Sequence, residues 1–160
     1  MELMMGVAIA SVLALVVSGI FKAGILTSRY SLSQTRILSE ARAALIGTGR
    51  IKGVLWQAQE GSSFMTLSST SLAVGYASAA SISFRLSGRD LLQSQLGVDQ
   101  KVTTGISSMT FSYYNLDAAG RIMESTAAAS AAMVTAAVVL PGERGKSYPF
   151  FTGASLRGKP

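Results

Sequence analysis

The chain begins with an almost unbroken apolar run, and the hydrophobic pattern changes after it. From Leu3 to Phe21 the residues are apolar or small, and the run is interrupted only by Gly6, Ser11, Ser18 and Gly19. As a helix, these residues would span roughly 28 Å at about 1.5 Å per residue, which is close to the thickness of a bilayer core. The run therefore predicts a helix that can cross a membrane.

The helical pattern continues beyond the apolar run and becomes amphipathic. Between Thr27 and Leu45 the chain has no proline, and apolar residues recur at helical spacing. The apolar side is formed by Ile37, Leu38, Ala41, Ala44 and Leu45, while Arg29, Arg36, Glu40 and Arg42 lie largely elsewhere. The GTGR stretch from Gly47 to Arg50 predicts the end of the helix, because glycine adopts the left-handed cap conformation readily. We expect one helix of about 45 residues, far longer than the average in globular proteins.

Past Arg50 the hydrophobic period becomes alternating, as in strands. The predicted strands are 72–76, 82–86, 91–96, 109–113, 133–140 and 148–156, with turns at SGRD (87–90), NLDAAG (115–120) and PGERGK (141–146). The segment 133–140 is nearly continuously apolar and predicts a central strand, whereas Pro149 places the last strand at a sheet edge. The low-complexity stretch 125–132 fits a loop, a short helix or a strand equally well.

These patterns predict the fold class and the domain organisation. The fold is predicted to be α+β, with one long N-terminal helix packed on a C-terminal antiparallel sheet. We expect a transmembrane segment at residues 1–26, an amphipathic continuation of the same helix at 27–50, and a sheet domain at 51–160.

Composition excludes most familiar catalytic sites. The chain has no cysteine and no histidine, so it has no thiol nucleophile, imidazole base, disulfide or ordinary structural zinc site. Its acidic residues are scattered without calcium-loop spacing, and its serines lack a nucleophile-elbow or Ser–Lys signature. We therefore predict no enzyme activity, no cofactor and no metal site. The net charge of +6 favours anionic lipid, acidic proteins and nucleic acid alike.

A lone glutamate, Glu2, stands immediately before the apolar run. A carboxylate at the edge of a bilayer core is unfavourable unless a cation meets it, so this position indicates a partner molecule. A cleavable signal peptide is disfavoured, because no Lys or Arg precedes the run and the first cation is Lys22. The same distribution leaves the membrane orientation undetermined by the positive-inside rule.

These residues resemble a known family. MELMMGVAIASVLALVVSG is similar to the N-terminal helix of type IV pilins and pseudopilins, in which a glutamate follows the processing site and heads a long apolar run. The later order resembles the minor pseudopilins of the W and J type, through TSLAVGYASAASISFRLSGRDLLQS, GISSMTFSYYNLDAAGR, AMVTAAVVLPGERGK and the terminal ASLRG. The resemblance covers most of the chain and implies a pilin-like fold, and the helix motif is its most specific part.

The chain departs from the family pattern in two respects. The short basic leader, the glycine at the cleavage point and the methylated first residue are not found, so we expect the chain to start a few residues inside the mature protein. The proline that often interrupts the pilin helix is also lacking, and Gly19 and Gly24 are expected to supply local helix flexibility in its place.

The resemblance implies a role for the helix in filament assembly. Glu2 would accept an ion pair from the terminal ammonium of a neighbouring subunit, where low dielectric strengthens the attraction. The alternative is that Glu2 faces water and only interacts with the helix dipole. The small residues Gly6, Ser11 and Ser18 would allow close helix contact, although such residues also occur in helices without a contact face.

The remaining candidates concern the surface. We expect most of the aromatic residues (Trp56, Phe64, Tyr113, Tyr114, Phe150 and Phe151) to lie in the core, with Tyr114 and Phe151 as the better surface candidates. Arg29 and Arg36 on the helix are candidate surface contacts, and a solvated charged face is the alternative. A cationic DNA-binding edge with Arg144, Lys146, Arg157 and Lys159 is a third reading, and a nucleic-acid partner is not expected.

The expected partners follow from the resemblance. They are other pilin or pseudopilin subunits, the inner-membrane assembly platform, the prepilin peptidase acting on the precursor, and the lipid bilayer. The protein is expected in a bacterial inner membrane with its head domain extracytoplasmic, and then in a periplasmic or extracellular filament. The alternative is a signal-anchored extracytoplasmic binding domain that never polymerises.

Overall fold

The structure is a computed structural model that describes residues 2–77 and 80–156. Within it, the side chains of residues 2–5, 8, 9 and 144 lie outside the description. The described residues form a long helix, a short second helix, a two-stranded hairpin and two larger antiparallel sheets, and the fold is therefore α+β as predicted.

The helices and strands follow one another along the described chain. They are α1 (Glu2–Leu45), β1 (Gly47–Thr48), β2 (Ile51–Lys52), α2 (Val54–Glu60), β3 (Ser63–Leu67), β4 (Ser71–Gly75), β5 (Ser81–Ser87), β6 (Asp90–Gln95), β7 (Val98–Thr104), β8 (Ser108–Leu116), β9 (Ile122–Glu124), β10 (Met133–Pro141), a 3-10 turn (Glu143–Gly145) and β11 (Ser147–Ser155).

The predicted end of the long helix is confirmed at its glycine. Helix α1 ends at Leu45, and Gly47 follows with φ of +109°, a backbone conformation that side chains with a Cβ rarely adopt. A Cβ at Gly47 would also collide with the backbone of Ile51 and Gly53. The chain turns here into the small β1–β2 hairpin, so only glycine fits this position.

The two larger sheets are fully antiparallel. Five strands form a meander in the order β3-β4-β5-β6-β7, and four form the sheet β11-β10-β8-β9. Strand β10 lies in the middle of its sheet, between β8 and β11, and β11 with Pro149 lies at the edge. Both placements confirm the sequence prediction, since an apolar strand is stable where neighbours cover it and proline cannot donate to a sheet ladder.

The core lies between the inner faces of the two sheets and the last part of α1. Ile37, Ala41, Ala44 and Leu45 of the helix are buried with one face of each sheet. The largest fully buried side chains are Phe84, Leu72, Leu91, Ile106, Leu140, Val54, Val74, Val134 and Val138.

One tyrosine connects the two sheets. The hydroxyl of Tyr113 on β8 donates to the carbonyl oxygens of Ser68 (3.2 Å) and Ser71 (3.1 Å), at the β3–β4 connection. Its ring packs edge-on against Phe64 of β3, with 5.5 Å between ring centroids. Desolvation by burial raises the pKa of Tyr113 to about 12, so it stays a neutral donor across the ordinary pH range.

Several elements were not predicted from the sequence. They are the β1–β2 hairpin, α2, β3, β7 and β9. The stretch 125–132, which the sequence left open, is a series of turns in which the hydroxyl of Ser125 donates to the carbonyl of Ala127. Its amides at Ser125 and Ala132 donate to the carbonyls of Tyr113 and Tyr114, so this turn segment is anchored to β8.

The chain divides into two compact units, Met1–Arg36 and Ile37–Pro160. The boundary falls inside the predicted amphipathic segment 27–50. The last turns of α1 therefore belong to the second unit, which contains all the strands and is called the head below. The predicted functional boundaries at 26 and 50 stay predictions.

Candidate functional site

The first unit presents an apolar helix surface on all sides. Ten described large apolar residues between Val7 and Leu26 are each about half exposed or more: Val7, Val12, Leu13, Leu15, Val16, Val17, Ile20, Phe21, Ile25 and Leu26. We call this set the apolar helix surface. A helix that is apolar all round belongs in a membrane or in the core of an assembly.

The size of this surface indicates a strong tendency to leave water. Fully burying one large apolar side chain contributes about 1.5–3 kcal/mol, and these ten are each about half to three-quarters exposed, so covering them corresponds to roughly 8–20 kcal/mol. A whole domain is stable by only about 5–15 kcal/mol. The apolar helix surface is therefore the strongest interaction feature in the described part of the chain.

The helix is long and apolar enough to cross a membrane. Among the described residues, Ala10–Leu45 of α1 contains an 18-residue window with a mean hydropathy of 1.9, and none of that window is buried. This finding is compatible with membrane anchoring near the N-terminus.

The predicted contact residues do not fall on one line along the helix. At about 100° per residue, Gly6 and Gly24 point in the same direction, whereas Ser11 and Ser18 point roughly 120–140° away and Gly19 elsewhere again. A Cβ at Gly6, Gly19 or Gly24 would meet no atom outside the helix within 4 Å. The small residues thus lie along separate lines on the helix surface, one with Gly6 and Gly24 and one with Ser11 and Ser18. Their role in close helix contact stays a prediction.

Gly19 and Gly24 lie inside the continuous helix α1. Beside Gly24 the surface has a shallow apolar notch of about 360 Å³, lined by Ile20, Phe21, Ile25 and Ser28. The expectation that these two glycines loosen the helix is not tested by this conformation. Arg29 and Arg36 are both exposed further along α1, and they too stay candidate contacts.

Glu2 is the first residue of α1, and its side chain lies outside the described residues. The hypothesis that Glu2 forms an intersubunit ion pair therefore stays a prediction. The cationic tail positions Arg157 and Lys159 and the side chain of Arg144 likewise lie outside the description.

The head carries a second candidate site, a groove beside α2. The groove has a volume of about 350 Å³ and is lined by Trp56, Gln59, Glu60 and Ser155. Trp56 was expected in the core, but its side chain is 48% exposed, and this expectation is wrong. Trp56 belongs to a short helix and not to a strand, and α2 turns Val54, Gln57 and Ala58 toward the core instead.

The indole of Trp56 is held in place by a polar cluster. Its Nε1 donates to Oε1 of Glu60 at 2.7 Å, and Nζ of Lys52 donates to Oε2 of the same carboxylate at 2.6 Å. The Lys52 ammonium also lies 5.6 Å from the centre of the indole ring, within cation–π range. Trp56 and Glu60 are four residues apart on α2, which brings their side chains together, whereas Lys52 reaches them from β2.

Behind the groove, Tyr76 fixes α2 to the five-stranded sheet. Its hydroxyl donates to the side-chain oxygen of Gln57 and contacts the Gln57 carbonyl at 3.3 Å. Desolvation, followed by the charge of Glu60, raises the pKa of Tyr76 to about 12. Tyr76 is therefore a neutral support for α2 across the ordinary pH range.

The two aromatic surface candidates lie on the same outer face of the four-stranded sheet. Phe151 is opposite Ala137 and is 77% exposed, which confirms its surface position. Tyr114 is opposite Met133 and is half-buried. Since Ala137 and Met133 are four residues apart on β10, the two rings are separated by about 13 Å along the strand, and they do not form one patch.

No protein-family model matches the chain, and no curated protein matches it closely enough to indicate a relationship. The resemblance described above therefore rests on the residues of this chain alone.

Proposed function

We propose that the chain is a minor pilin or pseudopilin subunit, anchored in a membrane before assembly and packed by its N-terminal helix into, or at the tip of, a type IV pilus or type II secretion-like filament. The observation that carries this proposal is the apolar helix surface, which is exposed on all sides of the first part of α1. The last part of the same helix contributes Ile37, Ala41, Ala44 and Leu45 to the core of a β-rich head.

The two environments that suit such a surface are a bilayer and a bundle of similar helices. A subunit that is first stored in a membrane and then moved into a filament core uses both in turn, and the same side chains are buried each time. The long continuous helix supports this proposal, because residues from Ile37 onward are anchored in the head while earlier residues stay available to neighbours.

The lone glutamate gives the proposed assembly its register. In a helix core of low dielectric, an unpaired carboxylate is strongly unfavourable, and a cation on the next subunit removes that penalty. Glu2 would then favour the axial offset between neighbouring helices that places its carboxylate beside the terminal ammonium of the next subunit. The head would be extracytoplasmic, and the partners would be other subunits, the assembly platform, the prepilin peptidase and lipid. The chain's role would be structural and not catalytic.

A second candidate function is an anchored extracytoplasmic binding domain that does not polymerise. The groove beside α2 favours it, because an exposed, fixed indole with a carboxylate, an amide and a hydroxyl around it is suited to ligand contact.

The test compares Glu2→Ala with the wild-type gene product, each expressed with the filament assembly machinery. Glu124→Ala, which removes an exposed glutamate of β9, is the matched control. We expect the wild type and the control to appear in the sheared filament fraction or in tip complexes, and Glu2→Ala to remain in the membrane fraction. Fractionation and immunoblotting measure the distribution.

Two results would contradict the proposal. One is a wild-type chain that inserts stably but never enters an assembly, with filament formation unchanged by its deletion. This outcome would favour the anchored binding domain. The other is equal assembly of Glu2→Ala and wild type, which would reduce Glu2 to a helix-dipole interaction.

A further inference from the structure

The two larger sheets have four edge strands, and three of them are poor templates for another strand. Strand β11 contains Pro149, β9 has only three residues, and β3 is interrupted in its middle by a bulge between Phe64 and Thr66. Proline, shortness and bulges are devices that prevent edge-to-edge pairing. The remaining edge, β7, is different.

Strand β7 offers a regular edge at its start. Residues Val98 to Lys101 pair in uninterrupted register with Gln95 to Leu92 of β6, and the bulge of this strand follows only at Val102. Next to this edge lie two strongly exposed apolar residues, Leu96 (86% exposed) and Val98 (60%). An accessible run of regular backbone beside apolar side chains is the feature that attracts another strand.

The residues of this edge are complementary to themselves. The sequence from Val98 to Val102 reads V-D-Q-K-V, so its charges change sign about the central Gln100. If two such strands run antiparallel with Gln100 opposite Gln100, Asp99 of each copy faces Lys101 of the other. Each Val98 then lies opposite the backbone of Val102, where the bulge begins and the side chain is buried in the head, so the recognition rests on the charged pairs. Opposite charges at directly opposed positions stabilise strand pairs, and like charges destabilise them.

Both charged side chains are held on the outer face of the sheet. Asp99 forms an ion pair with Arg85 of β5, and Lys101 lies 3.4 Å from the carboxylate of Asp90 on β6. The side chains of Asp99 and Lys101 remain 40% and 58% exposed. In a dimer, Lys101 of one copy would lie between Asp90 of its own chain and Asp99 of the second copy. That Asp99 also pairs with Arg85 of the second copy, so the charges alternate in sign across the edge.

We propose that the head forms a two-fold symmetric dimer in which β7 pairs antiparallel with β7 of a second copy, centred on Gln100. The two five-stranded sheets become one ten-stranded sheet. The interface is isologous, as expected for a strand whose charge pattern is its own complement. This inference does not rest on the proposed filament function, because it involves only the head.

The first test uses a disulfide at the symmetry axis. The chain has no cysteine, so Gln100→Cys in the full chain, held in detergent micelles, introduces a single thiol. Directly opposed residues have Cβ atoms about 4.5–5.5 Å apart, which is near disulfide distance after a small adjustment. The control is Thr66→Cys on edge strand β3. We expect mild oxidation to convert Gln100→Cys to a covalent dimer about tenfold faster than the control, because only residue 100 faces the same residue of the second copy.

A mixture of single-cysteine variants tests the register. In the proposed pairing, residue 99 faces residue 101 of the second copy, and neither residue faces itself. Asp99→Cys mixed with Lys101→Cys should therefore cross-link faster than either variant alone. Equal rates for the mixture and the separate variants would overturn the proposed register.

Charge variants in the Gln100→Cys background test the recognition. Asp99→Asn and Lys101→Gln each remove both intersubunit ion pairs from a homodimer. We expect each substitution to lower the cross-linking rate about threefold. Mixing the two variants restores one ion pair, so heterodimers should exceed their statistical share. The unfolding midpoint of each variant verifies that the head remains folded.

Three results would overturn the proposal. One is cross-linking of Gln100→Cys no faster than that of Thr66→Cys. Another is a rate that neither charge variant changes, which would indicate random collision. The third is a disulfide product from cells whose mass differs from twice that of the chain, which would mean that this edge receives another protein.

Discussion

The two parts of helix α1 use the same kind of side chain in opposite ways. Leu15 in the first unit is 74% exposed, whereas Leu45 in the head is 8% exposed, although both belong to one continuous helix. Helix formation is thus no guide to burial in this chain. The comparison teaches that the head is complete within one chain, while the apolar helix surface needs something outside the chain to bury it.

The largest expected effect comes from shortening one phenylalanine in each unit. Phe84 is fully buried in the head, so Phe84→Ala should lower the free energy of unfolding of the head by about 3–5 kcal/mol through lost burial and a cavity. Phe21 is 68% exposed, and Phe21→Ala should change the same quantity by less than about 0.5 kcal/mol. Denaturant unfolding in detergent, followed by the fluorescence of the single tryptophan, measures both. A similar loss for the two variants would break the comparison.

A charge placed in the apolar run should weaken membrane affinity, a property that depends on the first unit and not on the head. Val16→Lys places an ammonium within the apolar helix surface and should weaken membrane partition by about 2.5–3.5 kcal/mol, or roughly 100-fold. The control is Met65→Lys, because Met65 is also exposed (57%) but lies in the head. Flotation with liposomes measures the bound fraction. If Met65→Lys reduces binding as much as Val16→Lys does, the apolar helix surface is not the membrane contact.

Two tyrosines allow a finer comparison. Tyr113→Phe removes the hydroxyl that joins the two sheets and should destabilise the head by about 0.5–1.5 kcal/mol. Tyr30 on the first part of α1 is 52% exposed, and its hydroxyl accepts a hydrogen bond from Gln34 in the neighbouring turn. Tyr30→Phe should leave the stability of the head unchanged. Thermal unfolding of both variants at equal protein concentration tests this, and equal shifts would argue against the sheet connection.

The smallest effect concerns an exposed loop of the head. Asp117 accepts hydrogen bonds from the backbone amide and the side chain of Arg121 and from the amide of Ala119. These bonds lower the pKa of Asp117 below its ordinary value, because they favour the charged carboxylate. The lowered pKa adds stability that is present above the unfolded-state pKa of about 4 and is lost as the pH falls below it.

The test is to compare Asp117→Asn with wild type at neutral and acidic pH. The variant should be slightly less stable at pH 7, and the difference should shrink as the solution is acidified through pH 4 and below. The urea midpoint at each pH gives the difference directly. A difference that stays constant on acidification would show that the carboxylate charge makes no contribution.

Periodicity was sufficient where one face of an element is buried along its whole length. Strand β10 buries Val134, Ala136, Val138 and Leu140 in strict alternation, and its central position follows from the apolarity of both faces. The same rule failed for β7, in which Val98 to Lys101 are all exposed and the pattern carries no buried face. It failed for α2 because a seven-residue helix is too short for a hydrophobic period to emerge.

The candidate site residues show the same difference between what a local pattern predicts and what packing decides. Phe151 was placed on the surface correctly, because alternation along an edge strand settles which face a residue takes. Trp56 was placed in the core incorrectly, because its large apolar area predicts burial while its exposure depends on how α2 lies against β11. The self-complementary charges of β7 are readable in the sequence, but they have meaning only for a strand that the fold leaves at an edge.

The sequence by itself determined the long apolar helix, its end at Gly47, the antiparallel strands and the absence of thiol and imidazole chemistry. These features follow from local spacing, glycine conformation and composition, which need no knowledge of distant residues. Only the tertiary structure decided that the helix enters the core at Ile37, that the strands form two sheets joined through Tyr113, and that β7 is an open edge. Each of these depends on contacts between residues far apart in the chain, and such contacts are fixed by packing and not by local pattern.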